Sequence, residues 1–355
     1  MWVTSTCAAS GKTDMIQSDM APAVSIKEIA KLAGVSPATV SRAINDRKYV
    51  RPEVRQRILA VVKKTGYVPN YAARSMVLRR TFTVGIVVPD TFNMFQRQLF
   101  STMERELEVY GYRTLFFFVK WERGSEQRCL RRLQAENLDG VIMIHEVADP
   151  AFYSYLSGGR LPVVLCPIAR EDQGFYCVHI DEEKAARDAT EYLISLGHKE
   201  IGLITGTHFS FPSQRSAGYK AALEGAGLAV DQRSIATVES YSADAGCRGM
   251  RELLSRGGSP SAVFAITDEL AIGVVRALYE AGLDCPGDVS VLGFDDIDIA
   301  PFLAPGLTTV RQPIREMGRT TAELMFRLIA GEDCGGFSRV FPYELVVRES
   351  CRAPV

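Results

Sequence analysis

The sequence predicts two folds in one chain: a small all-α helix-turn-helix unit at the amino end and a larger α/β core of two lobes with parallel sheets. Three observations carry this. Residues 25–66 hold three capped helical patterns in succession. From Thr83 onward, short apolar runs of strand length alternate with helical stretches, as in parallel sheets crossed by helices. Charge is also divided unevenly. Residues 24–80 contain thirteen Lys and Arg against Glu28, Asp46 and Glu53, a balance of +10, whereas the whole chain is −1, so the remainder sums to −11.

A length of 355 residues suits one small domain plus a two-lobed core, and 47% hydrophobic residues can fill it. No run of eighteen apolar residues marks a membrane span. Eight cysteines lack C-x-x-C or metal-ligand spacing, and with no secretion signal they read as reduced thiols of a cytoplasmic protein. Residues 1–23 are polar and irregular, without an apolar signal core, and read as a disordered extension; Met15 or Met20 is an alternative start. The expected layout is this extension, a helix-turn-helix domain over 24–69, a hinge helix and linker over 70–81, and the core over 82–355.

The helical unit is legible residue by residue. Ser25 and Glu28 form an S-x-x-E capping box, and Ile26, Ile29, Ala30 and Ala33 recur at helical spacing. Gly34 suits the left-handed stop. Ser36 is an N-cap with Pro37 in the first helical position. Val40 and Ile44 point inward, which leaves Ala38, Thr39, Ser41, Arg42 and Asn45 on or near the outward side. Pro52 opens a third helix with Val54, Ile58, Leu59 and Val62 as its apolar positions and Gly66 as its stop. Basic charge on a capped helix-turn-helix points to double-stranded DNA.

The core strands are expected at 84–88, 115–119, 141–144, 163–165, 201–205, 262–265 and 289–294, with two more near 235 and 345–348. Helices are expected near 95–110, 125–136, 184–196, 214–226, 245–256, 269–281 and 314–330. In such sheets a ligand sits at the carboxyl ends of the strands. Asp90, Phe95, Gln96, Ile168, Phe211, Arg215, Tyr241, Asp268 and Asp295 follow strands in this way and form the candidate binding set. Arg and Asp can bond neighbouring hydroxyls while aromatic faces stack on a sugar ring, so the mix suits a carbohydrate. For Asp268, capping of the following helix is the favoured reading. The four histidines (145, 179, 198, 208) are separate, and His198 in a helix-to-strand turn reads as structural. Asp295, Asp296 and Asp298 make a poor metal set. No nucleophile elbow, Walker loop or dinucleotide fingerprint is present, so no catalytic residue, metal or cofactor is expected.

Val35-Ser-Pro-Ala-Thr-Val-Ser-Arg42 resembles the recognition helix of the LacI/GalR (lactose-repressor/galactose-repressor) family of bacterial transcription factors. Gly66-Tyr67-Val68-Pro69-Asn70 and Ala73-Arg74-Ser75 resemble its hinge, and the match runs from about Val24 onward. The resemblance implies a periplasmic-binding-protein-like core with the effector between its lobes. It also implies a homodimer that sets two recognition helices on a palindromic operator. Pro37, Ala38 and Arg42 would lie nearest the base edges, Arg42 being able to grip guanine in bidentate fashion. Ser36, Thr39, Asn45 and Tyr67 suit phosphate contacts. The hinge, with Asn70 and Ala73, would fold on the operator, and Met76 stands where the family places a minor-groove leucine. Arg215 in Gln-Arg-Ser-Ala-Gly-Tyr and Asp295 in Leu-Gly-Phe-Asp-Asp match the family's regular effector contacts. Asn93-Met94-Phe95 replaces the common Asn-Pro-Phe, and Pro167 and Ile168 stand where some members place a polar or aromatic contact. A nucleobase effector, a phosphocarrier protein partner and, more remotely, a solute-binding role are the alternatives.

Overall fold

In this computed structural model the described residues are 24–44, 50–67, 80–90, 93–120, 122–159, 161–170, 174–207, 210–257, 260–336 and 338–354. The expectations placed on Asn45, Asn70, Ala73 and Met76, and on the hinge they belong to, lie outside these residues. The chain divides into two compact units, residues 1–79 and 80–355.

The first unit contains α1 (Ile26–Ala33), α2 (Pro37–Ile44) and α3 (Pro52–Thr65). The capping box is formed: Ser25 N donates to Glu28 Oε2 at 2.7 Å and Glu28 N donates to Ser25 Oγ at 3.3 Å. Gly34 and Gly66 both close their helices at φ 64°, a conformation that other residues adopt only under strain. Ser36 Oγ accepts from Thr39 N and so starts α2. Ile29, Ala30, Ala33, Val40, Ala43 and Ile58 form the small core. Leu59 departs from the expectation: it is 43% exposed, and Val61 packs on the core instead. The 100° helical step places 54, 58, 61 and 62 on one face and turns 59 away.

The second unit holds two six-stranded sheets. The first, in spatial order β11-β5-β4-β3-β1-β2, contains β1 (Thr83–Pro89), β2 (Arg113–Val119), β3 (Gly140–Met143), β4 (Val163–Leu165), β5 (Tyr176–Ile180) and β11 (Ser338–Phe341). The second, β12-β10-β9-β8-β6-β7, contains β6 (Ile201–Gly206), β7 (Ile235–Val238), β8 (Ala262–Ala265), β9 (Ser290–Asp295), β10 (Thr308–Arg311) and β12 (Glu344–Val346). All pairings are parallel except β10 with β12. The chain passes between lobes three times: after β5, after β10, and between β11 and β12.

Helices α4 (Met94–Val109), α5 (Ser125–Ala135) and α6 (Pro150–Ser157) belong to lobe one, joined by α11 (Ile314–Ile329), which packs on α4. Lobe two has α7 (Glu182–Ser195), α8 (Phe211–Gly225), α9 (Ala243–Ser255) and α10 (Asp268–Glu280). Strands β5, β10 and β11 and helix α6 were missing from the sequence reading. β5 and α6 pack apolar side chains against neighbours distant in sequence, which periodicity over five to eight residues does not register. Where the chain enters the core, the Asp139 carboxylate accepts from Thr81 N at 2.9 Å, Thr81 Oγ1 at 3.1 Å and Phe82 N at 2.8 Å. No helix among the described residues is long and apolar enough to cross a membrane.

Candidate functional site

The carboxyl ends of β3, β4, β6, β8 and β9, with the amino ends of four helices, surround a cleft between the two lobes. Its open volume is about 560 Å³, part of it continuous with solvent. Lobe one contributes Asn93, Phe95, Gln96, Ile144, Glu146, Pro167 and Ile168; lobe two contributes Glu182, Ser210, Phe211, Gln214, Arg215, Thr267 and Asp295.

Arg215 anchors the lobe-two wall and is 3% exposed. Its Nε donates to Glu182 Oε2 at 2.6 Å, its Nη1 donates to the Ile266 carbonyl, and its Nη2 lies 3.5 Å from Asp295 Oδ1. The guanidinium lies 3.5 Å from the centre of the Phe294 ring and 4.8 Å from that of Phe211. Burial works against its charge, but Glu182 and Asp295 more than compensate and keep it protonated. Asp295 accepts from Gln312 Nε2 at 2.8 Å. Burial pushes its carboxyl well above the usual range, with Arg215 offsetting part of the rise. Its φ is 120°, a region that costs a non-glycine residue backbone strain, and such strain clusters at functional sites.

The lobe-one wall is made differently. Phe95, Ile144, Pro167 and Ile168 give it an apolar surface, interrupted by the amides of Asn93 and Gln96 and the Glu146 carboxylate. Asn93 caps α4, accepting from Gln96 N at 2.7 Å, while Asn93 N donates to Gln96 Oε1 at 3.3 Å. Among the described residues, two backbone amides donate to carboxylates across the lobes. Ser210 N donates to Glu146 Oε2 at 2.5 Å, and Met94 N donates to Glu269 Oε1 at 2.6 Å.

Of the nine core residues singled out from the sequence, Phe95, Gln96, Ile168, Phe211, Arg215 and Asp295 line the cleft and three do not. Asp90 is exposed beyond β1, where its N–H closes on the Val119 carbonyl. Tyr241 stands behind Phe211, ring centres 5.1 Å apart. Asp268 is fully buried: Thr309 Oγ1 donates to its Oδ1 at 2.5 Å and Ile297 N to its Oδ2 at 2.9 Å, so it pins loops beneath the cleft. Nor does it cap its helix, since Thr267 Oγ1 takes Leu270 N. Burial raises the Asp268 carboxyl to about 6 despite these bonds.

Sequence reasoning missed Glu182, Glu146, Ser210, Gln214 and Thr267 as lining residues. A strand-end search of β5 would have reached Glu182. Asp296 is held by Arg311 at 2.6 Å and Arg348 at 2.7 Å, which leaves it an ion-pair partner. His198 bonds Ser261 Oγ and the Arg352 carbonyl, both at 2.8 Å. No cluster of metal-ligating side chains occurs among the described residues.

On the first unit, Ser36, Pro37, Ala38 and Arg42 are exposed along one side of α2, with Thr39 half-buried and Arg42 Nε 3.3 Å from the Ala38 carbonyl. Tyr67 is half-buried against the unit's core.

A helix-turn-helix with its second helix bare, joined to a two-lobed parallel-sheet core, defines a class: bacterial transcriptional regulators with a ligand-binding-type core. Residues 25–70 match the bacterial regulatory proteins of the lacI family, and residues 190–351 match the periplasmic binding protein-like domain. Catabolite control protein A of Priestia megaterium is 31% identical over 332 residues, 93% of this chain and 99% of the relative. The HTH-type transcriptional regulator AscG of Escherichia coli (strain K12) is 35% identical over 338 residues, 92% and 98%. The structure of the transcriptional regulator CelR in complex with cellobiose superposes with a TM-score of 0.70 at 31% identity, covering 92% of this chain and 100% of that one. The chain belongs to the LacI family of DNA-binding transcriptional regulators and is not an enzyme.

Proposed function

We propose that the protein is a homodimeric cytoplasmic repressor of carbohydrate-metabolism genes. It reads a palindromic operator through α2 and releases or grips it according to a sugar or sugar derivative bound between the core lobes. The observation that carries this reading is the cleft itself: fixed charge and hydroxyls on one wall face an apolar wall with two amides on the other. That composition suits a ring with a polar rim and an apolar face. The sugar-bound relative of similar fold supports it.

In this reading Pro37, Ala38 and Arg42 meet base edges, and Ser36, Thr39, Asn45 and Tyr67 meet phosphates. Asn70, Ala73 and Met76 act from the hinge against the minor groove. Phe95, Gln96, Ile168, Phe211, Arg215 and Asp295 contact the effector. The coupling runs through the bonds that cross between lobes, Glu146 to Ser210 N and Glu269 to Met94 N. A ligand that competes for either, or that reinforces both, changes the interlobe angle.

The test is fluorescence anisotropy on an operator selected from random duplexes. Affinity should fall steeply with salt as phosphates shed counterions. Arg42→Ala should lose about 1–3 kcal/mol of discrimination between operator and scrambled duplex while retaining the response to sugar. A variant that still prefers the operator removes α2 from the reading interface.

A further inference from the structure

The charges around the cleft say more about its ligand than its shape does. Among the described lining residues, Glu146, Glu182 and Asp295 are acids and Arg215 is the base. Arg215 is already engaged, since Glu182, the Ile266 carbonyl and Asp295 take its edges and Phe294 and Phe211 cover its faces. A helix amino end is the other common anion site, because its free N–H groups and dipole attract negative charge. Four such ends meet at this cleft, and the protein's own oxygens take an N–H at or just ahead of each. Glu269 takes Met94 N on α4, and Glu146 takes Ser210 N ahead of α8. Asp181 takes Lys184 N on α7, and Thr267 takes Leu270 N on α10. At three of these four ends the oxygen is a carboxylate's, so a phosphate entering there meets like charge where a phosphate site would offer donors.

Neutral recognition is well supplied. Asn93, Gln96 and Gln214 offer amides, Ser210 and Thr267 offer hydroxyls, and Phe95 and Phe211 offer ring faces.

We infer that this cleft takes an uncharged sugar and rejects its phosphorylated and acidic derivatives, because its described lining carries three acids against one arginine that is already engaged, and carboxylates take an N–H at or just ahead of three of its four helix ends. The inference rests on the reading of the cleft as the effector site. It names the charge class of effector to which this regulator answers.

Isothermal titration of the full-length protein with matched sets tests it: glucose, glucose 6-phosphate, gluconate and glucosamine; ribose and ribose 5-phosphate; galactose and galacturonate; cellobiose. The neutral member of a set should bind at least about tenfold tighter than its anionic partner. Glu146 is only partly buried, so Glu146→Gln should fold and should narrow that ratio by raising affinity for the anion. An anionic member, or glucosamine, binding tighter than the neutral sugar overturns the inference and leaves the sugar reading standing. An unchanged ratio in Glu146→Gln overturns the electrostatic cause assigned to it. Heat from no member of any set overturns the sugar reading, and the inference with it.

Discussion

The two walls of the cleft are built on opposite plans. On lobe two, a buried guanidinium, two carboxylates and an amide are locked together, and the helices behind them are pressed backbone to backbone. A Cβ at Gly273 would lie 1.8 Å from the Ala243 carbonyl oxygen, one at Gly246 2.1 Å from that of Leu270, and one at Gly218 2.1 Å from that of Glu183. On lobe one the wall is mainly apolar side chains, and a Cβ at the comparable glycine of the α4–α11 pair, Gly318, would meet Thr102 Cβ at 2.9 Å and the Leu99 carbonyl oxygen only at 3.2 Å. The difference teaches a division of labour. Lobe two holds polar groups in fixed geometry at the cost of buried charge, and lobe one offers them a mainly apolar face.

The largest expected effect comes from breaking the charged wall. Arg215→Ala leaves Glu182 and Asp295 buried without their cation and should cost about 3–5 kcal/mol in urea unfolding. A loss under 1 kcal/mol would mean that the network is not a stabilising lock. Next is the backbone contact. Gly273→Ala forces α9 and α10 apart and should cost about 1–3 kcal/mol, whereas Gly318→Ala, opposed at 2.9 Å and not at 1.8 Å, needs a far smaller shift and should cost less than Gly273→Ala. Equal losses in thermal melts would erase the distinction between lobes.

The carboxyl buried beneath the charged wall should also make stability pH-dependent. The Asp268 carboxyl, raised to about 6 by burial against an ordinary value of 3.8, keeps its proton in the folded chain where the unfolded chain has released it. Stability from this group is therefore greatest below pH 4, falls as pH rises from about 4 to about 6, and is flat above. The total change is on the order of 2–3 kcal/mol. Asp268→Asn should flatten that window in urea midpoints measured from pH 4 to 7. The smallest effect belongs to the bridge from lobe one. Glu146→Gln weakens a charge-assisted bond to Ser210 N and should change stability by about 1 kcal/mol or less, with the change visible in faster hydrogen exchange at Ser210.

Much of this was legible because caps and strand ends are local. Ser25 with Glu28, Gly34, Ser36 with Pro37, and the acid ending Leu-Gly-Phe-Asp all carry their signal within four residues. What escaped depends on register or on distant chain. Glu182 and Glu183 are adjacent and chemically alike, yet 182 is buried against Arg215 and 183 is exposed, because α7 turns by 100° between them. Asp268 opens α10 three residues after β8, and Asp295 ends β9. Their fates diverge because the neighbouring strand has Gly293, where a Cβ would come within 2.2 Å of the Asp268 oxygen, and Thr309 stands ready to donate. Glu146 was invisible because its partner, the Ser210 amide, is 64 residues away.

The carboxylate of Asp139 grips the chain at Thr81 and Phe82, where it enters the core. That grip fixes the start of the core to lobe one and not to lobe two. A lever behaves this way: rotation about the three crossings moves each point of lobe one in proportion to its distance from the axis. In the proposed coupling, Thr81 is a point on that arm, and a change of angle at the cleft would reach it as a displacement.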